Sequence, residues 1–488
     1  MTPPLKILSL DAGWKTCDAS ADCAGIPCRP HDRCTAHLTP AELEVFLVGL
    51  APGHGVDLRG TVVTEDLLTR VLDAVGRHLG RARFDRAHFT GPARFAEVVF
   101  AGDATFDHAR FDRLASFFGT RFTRNASFRE ARFSREFSMH GARVRGHGAF
   151  DRVRIGSDAL FGEARFGRDA SFHGAEFHGF TAFDHAMFDG DAIFRAARFR
   201  RAVSYRKAVF AGTAGFEGAG FHSGVFLTQI RVGRRLALSG IHASGPLELE
   251  VTGCPVDLAG ARISGRLTAR LSDADLDLRE ALLTATAAVF TRTGRLRVVS
   301  LDRLDACALT LTGADLSGCR LAQVRRPEAL RLSACTFAAT PKGVRVGLRW
   351  PPVLWWTSRR VVADEHAWRG WSSWADQPLD PGRLAGLYER LRRAVDDKKT
   401  SADFAFGAME MRRLATRRRR VRIALAAYWL ACGYGLRMGR TLCWLTLVTA
   451  VTAAALFWSA GAHPARRPIS HRSPTPAPAA HASPAGVN

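Results

Sequence analysis

A group of cysteine and histidine residues near the amino terminus is the part of the sequence best suited to chemistry. It lies in a segment with few apolar residues and consists of Cys17, Cys23, Cys28, His31, Cys34 and His37. Thiolates and imidazoles bind Zn²⁺ in a tetrahedral site, which can replace the core that a short segment cannot build. The predicted ligands are Cys17, Cys23, Cys34 and His37. Because the gap from Cys17 to Cys23 is wider than usual, Cys28 and His31 remain alternative ligands.

The predicted zinc would have a structural role. A site closed by four protein ligands leaves no position for a catalytic water. The alternative interpretation is a set of reduced surface thiols without metal, or an adventitious disulfide. Elsewhere, histidines such as His88, His108 and His173 occupy spacer positions where we expect them to be exposed. Since no catalytic constellation is recognisable, we predict a protein that is not an enzyme and has no cofactor other than structural zinc.

Two short helices are predicted immediately after the Cys/His segment. Thr39-Pro-Ala-Glu42 combines an N-cap, a proline at the first helical position and a capping-box glutamate. A second helix is predicted from Thr64 to Val75, where apolar residues recur at helical spacing. We expect the two helices to cover the first coil of the domain that follows, whose strand edges would otherwise be exposed.

That domain is marked by a large apolar residue that recurs at alternating steps of five and six residues. This phenylalanine ladder consists of Phe84, Phe89, Phe95, Phe100, Phe106, Phe111, Phe117, Phe122, Phe128, Phe133, Met139, Val144, Phe150, Ile155, Phe161, Phe166, Phe172, Phe177, Phe183, Phe188, Phe194, Phe199, Tyr205, Phe210, Phe216, Phe221 and Leu227. A small residue stands two positions before most of them. In a helix, with about 100° of rotation per residue, these steps would place the rings on two faces. A solenoid that turns a corner after each unit places every ring on one axis.

These units resemble the pentapeptide-repeat family, in which a small residue precedes a central Phe or Leu by two positions. The closest forms are Ala109-Arg-Phe-Asp-Arg113 and Ala314-Asp-Leu-Ser-Gly318. The resemblance implies a right-handed, four-sided parallel β-helix. The sixth residue in every second unit departs from the plain form, so we expect one looser corner in each pair of units.

Beyond Leu227 the ladder changes to Leu, Ile and Val and the strict spacing is lost. Phrases such as Leu238-Ser-Gly240 still carry the family pattern, so the β-helix is predicted to continue to about residue 338. Four cysteines in this part are too far apart in sequence for a local ligand cluster, and core packing is expected for them. They are Cys254, Cys307, Cys319 and Cys335.

The formal net charge of +23 favours acidic partners, with nucleic acid and anionic lipid as the general candidates. Some members of the pentapeptide-repeat family are acidic rods that imitate DNA and bind topoisomerases, and a basic rod cannot do so. The cysteine content does not indicate a disulfide framework, and Met1 to Leu10 lacks the features of a signal peptide. A reduced, cytosolic setting is therefore expected for most of the chain.

The carboxy-terminal part is predicted to attach the protein to a membrane. Tryptophans are concentrated between residues 350 and 374, and helices are predicted from Asp380-Pro381 and from Ser401. Thr441 to Ala460 carries no charge and has the length of a bilayer span, whereas Ile423 to Leu436 is shorter and is predicted to be an interfacial or docking segment.

Arginines dominate the sequence just before this span: Arg412, Arg413, Arg417, Arg418, Arg419, Arg420, Arg422, Arg437 and Arg440. Positive charge near a span stays on the cytoplasmic side, which predicts a single-pass protein of the cell membrane with a cytoplasmic repeat domain. The same arginines could bind anionic headgroups, and the adjoining apolar span argues against nucleic acid.

Two further segments resemble parts of membrane-anchored pentapeptide-repeat proteins. The first contains Cys34-Thr-Ala-His37-Leu38 and Asp57-Leu-Arg-Gly60-Thr61 and resembles an amino-terminal module of that group. The second lies between Leu387 and Gly435 and resembles its juxtamembrane region. The resemblance implies a membrane-anchored member of the family with an amino-terminal Cys/His module.

The sequence thus predicts a mainly β protein, a parallel β-helix with a small helical amino-terminal cap and carboxy-terminal helices that include one transmembrane helix. The predicted divisions are 1–80 (Cys/His knuckle and helical cap), 81–230 (regular ladder), 231–340 (degenerate coils), 341–380 (Trp-rich connector), 381–440 (basic juxtamembrane helices), 441–460 (transmembrane helix) and 461–488 (disordered Pro/Ala/Ser tail). The leading hypothesis is a non-enzymatic scaffold that presents a basic surface to an unknown protein partner or to anionic lipid. The alternative is a regulatory or accessory subunit of a channel or transporter, and a second copy of the chain is a further candidate partner.

Overall fold

A computed structural model describes residues 13–341, 359–371, 380–436 and 438–461. The chain forms two compact units, Met1–Arg417 and Arg418–Asn488. The first unit is a parallel β-solenoid with helices at both of its ends, as the ladder predicted. The second unit is helical.

The regular part of the solenoid has four sides, which we number in chain order. The first side is a sheet of 13 strands: Val56–Asp57, Ala82–Arg83, Ala104–Thr105, Ala126–Ser127, Gly148–Ala149, Ala170–Ser171, Ala192–Ile193, Ala214–Gly215, Leu236–Ala237, Val256–Asp257, Ala274–Asp277, Leu296–Ser300 and Ala314–Asp315. The second side consists of Val62–Val63, His88–Phe89, Arg110–Phe111, Arg132–Phe133, Arg154–Ile155, Glu176–Phe177, Arg198–Phe199, Gly220–Phe221, His242–Ala243 and Arg262–Ile263. The third consists of Ala93–Arg94, Ala115–Ser116, Phe137–Ser138, Ala159–Leu160, Thr181–Ala182 and Val203–Ser204. The fourth consists of His78–Leu79, Val99–Phe100, Arg121–Phe122, Arg143–Val144, Arg165–Phe166, Met187–Phe188 and Val209–Phe210.

The alternating steps of the ladder fix the length of each coil. Two steps of five and two of six carry the chain once around the four sides, so each strand pairs in parallel with the strand 22 residues later, as Ala115 pairs with Phe137. At the five-residue corners a turn closes on itself: the N–H of Ala87 donates to the carbonyl of Phe84 at 3.0 Å, with Arg86 at φ 55°. At the longer corners the backbone bonds to the preceding coil instead, as from the N–H of Gly146 to the carbonyl of Arg124 at 3.2 Å.

The ladder forms the core. Rings one coil apart stack nearly parallel, with centroids 4.9 Å apart for Phe84 and Phe106 and an interplanar angle of 7°. Rings on opposite sides meet edge to face, as Phe106 meets Phe117 at 5.4 Å. Offset stacks and edge-to-face contacts are the favoured arrangements of aromatic rings. The ladder residues are buried throughout, including Met139, where the pattern changes from Phe.

The strict spacing is lost after Leu227 because the coils become shorter and their sides merge. Leu236 pairs with Val256, only 20 residues later. Longer strands replace pairs of short ones: Val225–Val232, Leu247–Thr252, Leu267–Ser272, Leu282–Phe290, Asp305–Thr312 and Leu330–Ser333. Cys254 and Cys319 are buried here and Cys335 is half-buried, as predicted. The prediction of core packing was wrong for Cys307, which is exposed because it points outward from its strand.

Two helices close the amino-terminal end. Helix α1 (Pro40–Val48) begins with the predicted capping box, in which Thr39 and Glu42 bond each other's backbone. Helix α2 (Glu65–Ala74) is capped by Thr64 and buries Leu67, Leu68, Val71 and Leu72 in the solenoid core. It occupies the third side of the first coil, where a strand would otherwise leave an unpaired edge.

Among the described residues of the first unit, three helices follow the last coil: α3 (Ala363–Trp368), α4 (Pro381–Ala394) and α5 (Lys398–Ala415). Before α3 a short antiparallel pair joins Ala338–Ala339 to Arg360–Val361. Helix α4 begins after Asp380, as predicted, but α5 begins before Ser401 because Asp397 caps it by accepting from the N–H groups of Lys399 and Thr400. Of the concentrated tryptophans, Trp350, Trp355, Trp356 and Trp374 lie outside the described residues.

Buried charge holds these helices together. The Glu365 carboxylate accepts from Tyr388 Oη at 2.5 Å and from the guanidinium groups of Arg359 at 2.5 Å and Arg369 at 2.6 Å. Glu410 of α5 accepts from Arg359 at 3.1 Å. These side chains are almost fully buried, so each charge depends on its partners.

The second unit contains α6 (Arg419–Cys432), a 3-10 turn (Gly433–Gly435) and α7 (Met438–Gly461). Gly433 ends α6 with φ 56°, a left-handed conformation that glycine adopts without strain. Trp444 Nε1 of α7 donates to the carbonyl of Leu430 in α6 at 2.9 Å. With 14 residues, α6 is too short to cross a bilayer, whereas α7 contains the predicted span.

Candidate metal centre

Short turns bring the cysteines and one histidine of the amino-terminal segment together. The N–H of Cys17 bonds the carbonyl of Gly25 at 2.8 Å, and this bond folds the first loop back on itself. A 3-10 turn over Thr35–His37 then places His37 beside Cys34, with the N–H of His37 donating to the Cys34 carbonyl at 2.8 Å. The compact spacing of Cys34 and His37 therefore corresponds to one tight turn.

The structure brings together all four predicted ligands. One ligand atom from each of Cys17, Cys23, Cys34 and His37 lies within 4.8 Å of the other three. The Nδ1 atom of His37 is 3.5 Å from the Sγ atoms of Cys17 and Cys23 and 3.4 Å from that of Cys34. The Sγ atoms of Cys23 and Cys34 are 3.7 Å apart.

These separations match the edges of a zinc tetrahedron. Bonds of about 2.3 Å to sulfur and about 2.0 Å to nitrogen at the tetrahedral angle give edges of roughly 3.8 Å between sulfurs and 3.5 Å between sulfur and nitrogen. The four distances given above agree within about 0.1 Å, and the Sγ atom of Cys17 lies within 4.8 Å of the other two sulfurs. The four residues could therefore bind a metal ion, and the three sulfurs and one nitrogen suit zinc.

Backbone donors prepare Cys17 for the thiolate form that a metal requires. Its Sγ accepts from the N–H of Cys34 at 3.2 Å and from the N–H of Ala19 at 3.5 Å. Burial alone would raise the pKa of Cys17, but these hydrogen bonds outweigh it and bring the pKa down to about 7. Burial and the neighbouring Cys23 raise the pKa of Cys34 to about 12. A bound cation would lower the pKa of Cys34 instead, because a positive charge favours the thiolate.

Small residues make room for the cluster. A side chain at Gly25 would place its Cβ atom 2.7 Å from Cys34 Cβ and 2.8 Å from Cys34 Sγ. At Gly60 a Cβ atom would lie 2.1 Å from the carbonyl oxygen of Ala24. The loop that carries the Cys/His cluster is thus packed directly against the first coil of the solenoid.

Trp14 attaches the loop to two successive coils. Its Nε1 donates to the carbonyl of Ala24 at 3.0 Å, and its ring lies under the guanidinium groups of Arg59 at 4.9 Å and Arg86 at 5.5 Å. The N–H of Ile26 also bonds the carbonyl of Arg59 at 2.9 Å. The loop is therefore in direct contact with the start of the β-solenoid.

The two alternative ligands lie outside the cluster. Cys28 stabilises a neighbouring turn through its backbone, which accepts from the N–H of His31 at 2.8 Å. His31 Nδ1 lies 3.5 Å from Glu42 Oε1, a carboxylate that Arg33 also contacts at 2.6 Å. His31 thus connects the loop to helix α1, and neither residue belongs to the group of four ligands.

Of the nine arginines predicted to contact lipid, Arg437 and the side chain of Arg440 lie outside the described part of the chain, and six of the other seven are on the surface of their unit. Arg412, Arg417, Arg418, Arg419 and Arg420 are exposed and Arg422 is half-exposed. Arg413 was wrongly included, because its side chain is only 1% exposed and lies 4.0 Å from the Glu410 carboxylate. Arg413 stands three residues after Glu410 and therefore shares the buried face of α5 with it.

The described chain is a parallel β-solenoid of about 13 turns, with an aromatic core up to Leu227 and an aliphatic core after it. The family model for pentapeptide repeats matches residues 78–121 in nine copies. Coils with the same spacing continue in register after the matched residues, which is consistent with a pentapeptide-repeat protein. No curated protein and no solved structure matches the chain.

Proposed function

We propose that the protein is a non-enzymatic, membrane-anchored scaffold whose solenoid presents a binding surface on the cytoplasmic side. The observation that carries this proposal is helix α7. Residues Thr441–Ser459 are long and apolar enough to cross a bilayer, and none of that stretch is buried in the structure. At about 1.5 Å per residue these 19 residues extend roughly 29 Å, close to the thickness of the hydrocarbon core.

Water is a poor environment for this helix. Leu456, Phe457 and Trp458 are 69%, 85% and 82% exposed. Removing each such side chain from water is favourable by roughly 1.5–3 kcal/mol. A bilayer supplies that apolar environment along the whole helix, which supports a membrane anchor over a solvent-exposed helix.

The charge of the flanking segment supports a cytoplasmic solenoid. The exposed arginines Arg417 to Arg420 precede α7 in the sequence. Basic residues within about 15–20 residues of a span remain on the cytoplasmic side. The solenoid lies on the same side of the span in the sequence as these arginines and would therefore share their compartment.

We assign structural zinc to the amino-terminal loop as part of the same proposal. The loop contributes little to the apolar core beyond Cys17 and Cys34, so its own burial cannot order it. Four protein ligands would complete the coordination of zinc and leave no catalytic position. The metal would thus stabilise the contact of Trp14 with the first coils, which is a structural function.

The scaffold proposal is also supported by the surface of the solenoid. A depression of about 260 Å³ is lined in part by Cys254 and Asp273, but burial raises the pKa of Cys254 to about 11. Its thiol is therefore protonated near neutral pH and is a poor nucleophile. A second depression of about 330 Å³ is lined by alanines, Leu267, threonines and two arginines, and no acidic residue, histidine or cysteine is among its lining residues: Arg266, Leu267, Thr268, Thr286, Ala287, Ala288, Ala308, Thr310 and Arg331.

Membrane attachment can be tested with charge placed in α7. The full chain should sediment with membranes after an alkaline carbonate wash, and Leu445→Arg/Val448→Arg should release it. The matched control, Val45→Arg/Val48→Arg, adds the same charge to two exposed positions of α1 and should stay with the membrane. A wild-type chain that the wash removes would overturn the anchor. Protease digestion of intact and of inverted vesicles then tests the side on which the solenoid lies.

Zinc can be tested separately by elemental analysis of the purified full chain. Wild type and Cys28→Ser should carry one equivalent of zinc, whereas Cys34→Ser should lose it and become more sensitive to proteolysis around Trp14. A Cys28→Ser variant without zinc, or a Cys34→Ser variant that keeps it, would contradict the proposed ligand set.

A further inference from the structure

In the middle coils of the solenoid, the outward side chains of the strands differ between the sides. On the first and third sides, strands such as Ala104–Thr105 and Ala115–Ser116 present small polar residues. On the second and fourth sides the equivalent outward position is occupied by arginine over three successive coils. It is Arg110, Arg132 and Arg154 on the second side and Arg121, Arg143 and Arg165 on the fourth.

The fourth side has the denser group. Arg121, Arg143 and Arg165 form a column in strict register, and Arg124, Arg145 and Arg168 lie in the segments that follow those strands. We call these six exposed arginines the basic face. Neighbouring strands are about 4.8 Å apart, so the three coils bring the six charges within a small area. Like charges in register repel one another, and an external anion would relieve that repulsion.

The protein neutralises very little of this charge. Arg165 Nε lies 3.0 Å from Asp189 Oδ2. In the parts of the chain that the structure describes, the other five arginines of the basic face form no ion pair. The second side differs, because Glu176 lies between Arg154 at 3.4 Å and Arg198 at 3.2 Å and interrupts its column.

Exposed apolar side chains border the basic face. Met187 continues the column directly after Arg165 and is 38% exposed. Phe118 stands in the corner before Arg121 and is 48% exposed. Basic side chains with exposed apolar neighbours on an open sheet suit the interfacial region of a bilayer, where guanidinium groups bind phosphate and apolar groups enter the acyl boundary. Nucleic acid would use the arginines but not the methionine.

We propose that the basic face docks on the surface of an anionic phospholipid bilayer. Clusters of four to eight basic residues are typical of such recognition. The inference deepens the proposed function by naming the surface and its ligand, and it depends on the anchor in α7 only for a supply of nearby lipid. Docking of the face itself requires no span.

The test compares two triple variants that remove the same charge at the same position of the repeat. Arg121→Gln/Arg143→Gln/Arg165→Gln alters the basic face, and Arg110→Gln/Arg132→Gln/Arg154→Gln alters the second side. The full chain is held in nanodiscs of neutral phosphatidylcholine, which provide a bilayer for α7. It is then mixed with separate liposomes. Binding to phosphatidylcholine liposomes with and without phosphatidylglycerol is measured by co-flotation.

Wild type and the second-side variant should bind the anionic liposomes alike, and the basic-face variant at least about tenfold more weakly, since each basic residue near the surface contributes separately. Equal loss in both variants would overturn the proposal, because it would mean that net charge alone drives binding. The proposal would also be overturned if the chain did not bind anionic liposomes but bound a short DNA duplex through the same arginines. Glutamine keeps the long side chain and relieves repulsion, so both variants should fold, which circular dichroism checks. If the chain does not enter nanodiscs, the proposed membrane anchor is wrong. The liposome binding of the two triple variants is then compared without nanodiscs, and that comparison tests the basic face alone.

Discussion

Tyr205 is the one ladder position where a hydroxyl enters the aromatic core. Removal of that hydroxyl should stabilise the protein. The side chain is fully buried, with its ring 4.9 Å from Phe183 and 5.4 Å from Phe216. Within the described residues its Oη atom has no hydrogen-bond partner. Burial accordingly raises the pKa of Tyr205 well above its ordinary value.

The magnitude follows from the lost hydration of this hydroxyl. A buried polar group without a partner costs roughly 1–3 kcal/mol relative to its hydrated state in the unfolded chain. Tyr205→Phe removes that cost and keeps the ring with its stacking contacts. The single atom removed leaves a very small void, which offsets part of the gain. We expect the free energy of unfolding to rise by about 1 kcal/mol.

Phe183→Tyr provides the matched control one coil earlier in the same stack. Phe183 is fully buried and its ring lies parallel to Tyr205, with an interplanar angle of 2°. A hydroxyl placed there should enter a similarly apolar environment. This variant should therefore lower the free energy of unfolding by a comparable or larger amount, since the core must also accommodate an added atom.

The assay must report on the coils near Tyr205, because repeat proteins need not unfold in one step. Urea-induced unfolding of the full chain in mild detergent, followed by circular dichroism, gives the overall stability. Amide hydrogen exchange between residues 183 and 227 gives the local stability. Slower exchange in Tyr205→Phe and faster exchange in Phe183→Tyr are expected. If Tyr205→Phe exchanged faster than wild type, the hydroxyl would have to make a stabilising contact, and the apolar environment derived above would be wrong.

Three further predictions concern the ladder, the buried charges and a helix cap. Phe172 stacks on Phe150 at 4.7 Å and on Phe194 at 4.8 Å, so Phe172→Ala should cost about 3–5 kcal/mol and speed hydrogen exchange in the adjacent coils, whereas Phe118→Ala at an exposed corner should not. Glu365→Gln should destabilise helices α3 to α5 by about 3–5 kcal/mol, measured by urea unfolding, because it leaves buried arginine charge uncompensated. Asp397→Ala should remove the cap of α5 at a cost of about 1 kcal/mol or less. Thr400 and neighbouring backbone groups lower the pKa of Asp397 from 3.8 to about 2. The stabilisation by the cap is therefore present above pH 3.8 and is lost as the pH falls towards 2. The free energies of unfolding of wild type and variant, measured as a function of pH, should become equal near pH 2.

The ladder made the solenoid predictable because one residue type at one spacing determines the core, the coil and the strand register together. The sum of the alternating steps gives the 22-residue coil that joins Ala115 to Phe137. Phe137 itself was not predicted to be part of the core. It occupies a small-residue position, and its ring lies 4.3 Å from Phe133 and 5.4 Å from Phe161, where it fills space beside Met139.

The carboxy-terminal cap could not be predicted in the same way, because its contacts have no period. Asp364 accepts a hydrogen bond at 2.7 Å from the N–H of Leu321, which lies 43 residues earlier. Arg359 reaches Glu410 from 51 residues away. Neither pair has a signal in the sequence, since both depend on how the helices fold back onto the last coil. The metal ligands were easier to predict, because Cys34 and His37 lie within one turn and only Cys17 and Cys23 are brought in by loops.

The basic face could have been found from the sequence through a pattern that the charge total conceals. Between Ala104 and Phe133 the units alternate between a small polar residue and arginine before the central Phe, as in Ala115-Ser-Phe117 followed by Thr120-Arg-Phe122. Because four units complete one coil, alternate units fall on opposite sides of the solenoid. Between Ala104 and Phe133 the alternation therefore places the arginines of the strands on two sides.

Solubility alone does not explain why the arginines stand in columns. Charge scattered over all four sides would keep the protein soluble equally well, with less repulsion than a column in register. On the second side Glu176 divides the column between Arg154 and Arg198, so that side is partly neutralised. On the fourth side the column runs from Arg121 to Arg165 without an acidic residue and then meets the exposed Met187. A surface that concentrates unpaired charge and then places an apolar side chain beside it is organised for a ligand with both an anionic and an apolar part, and a phospholipid has both.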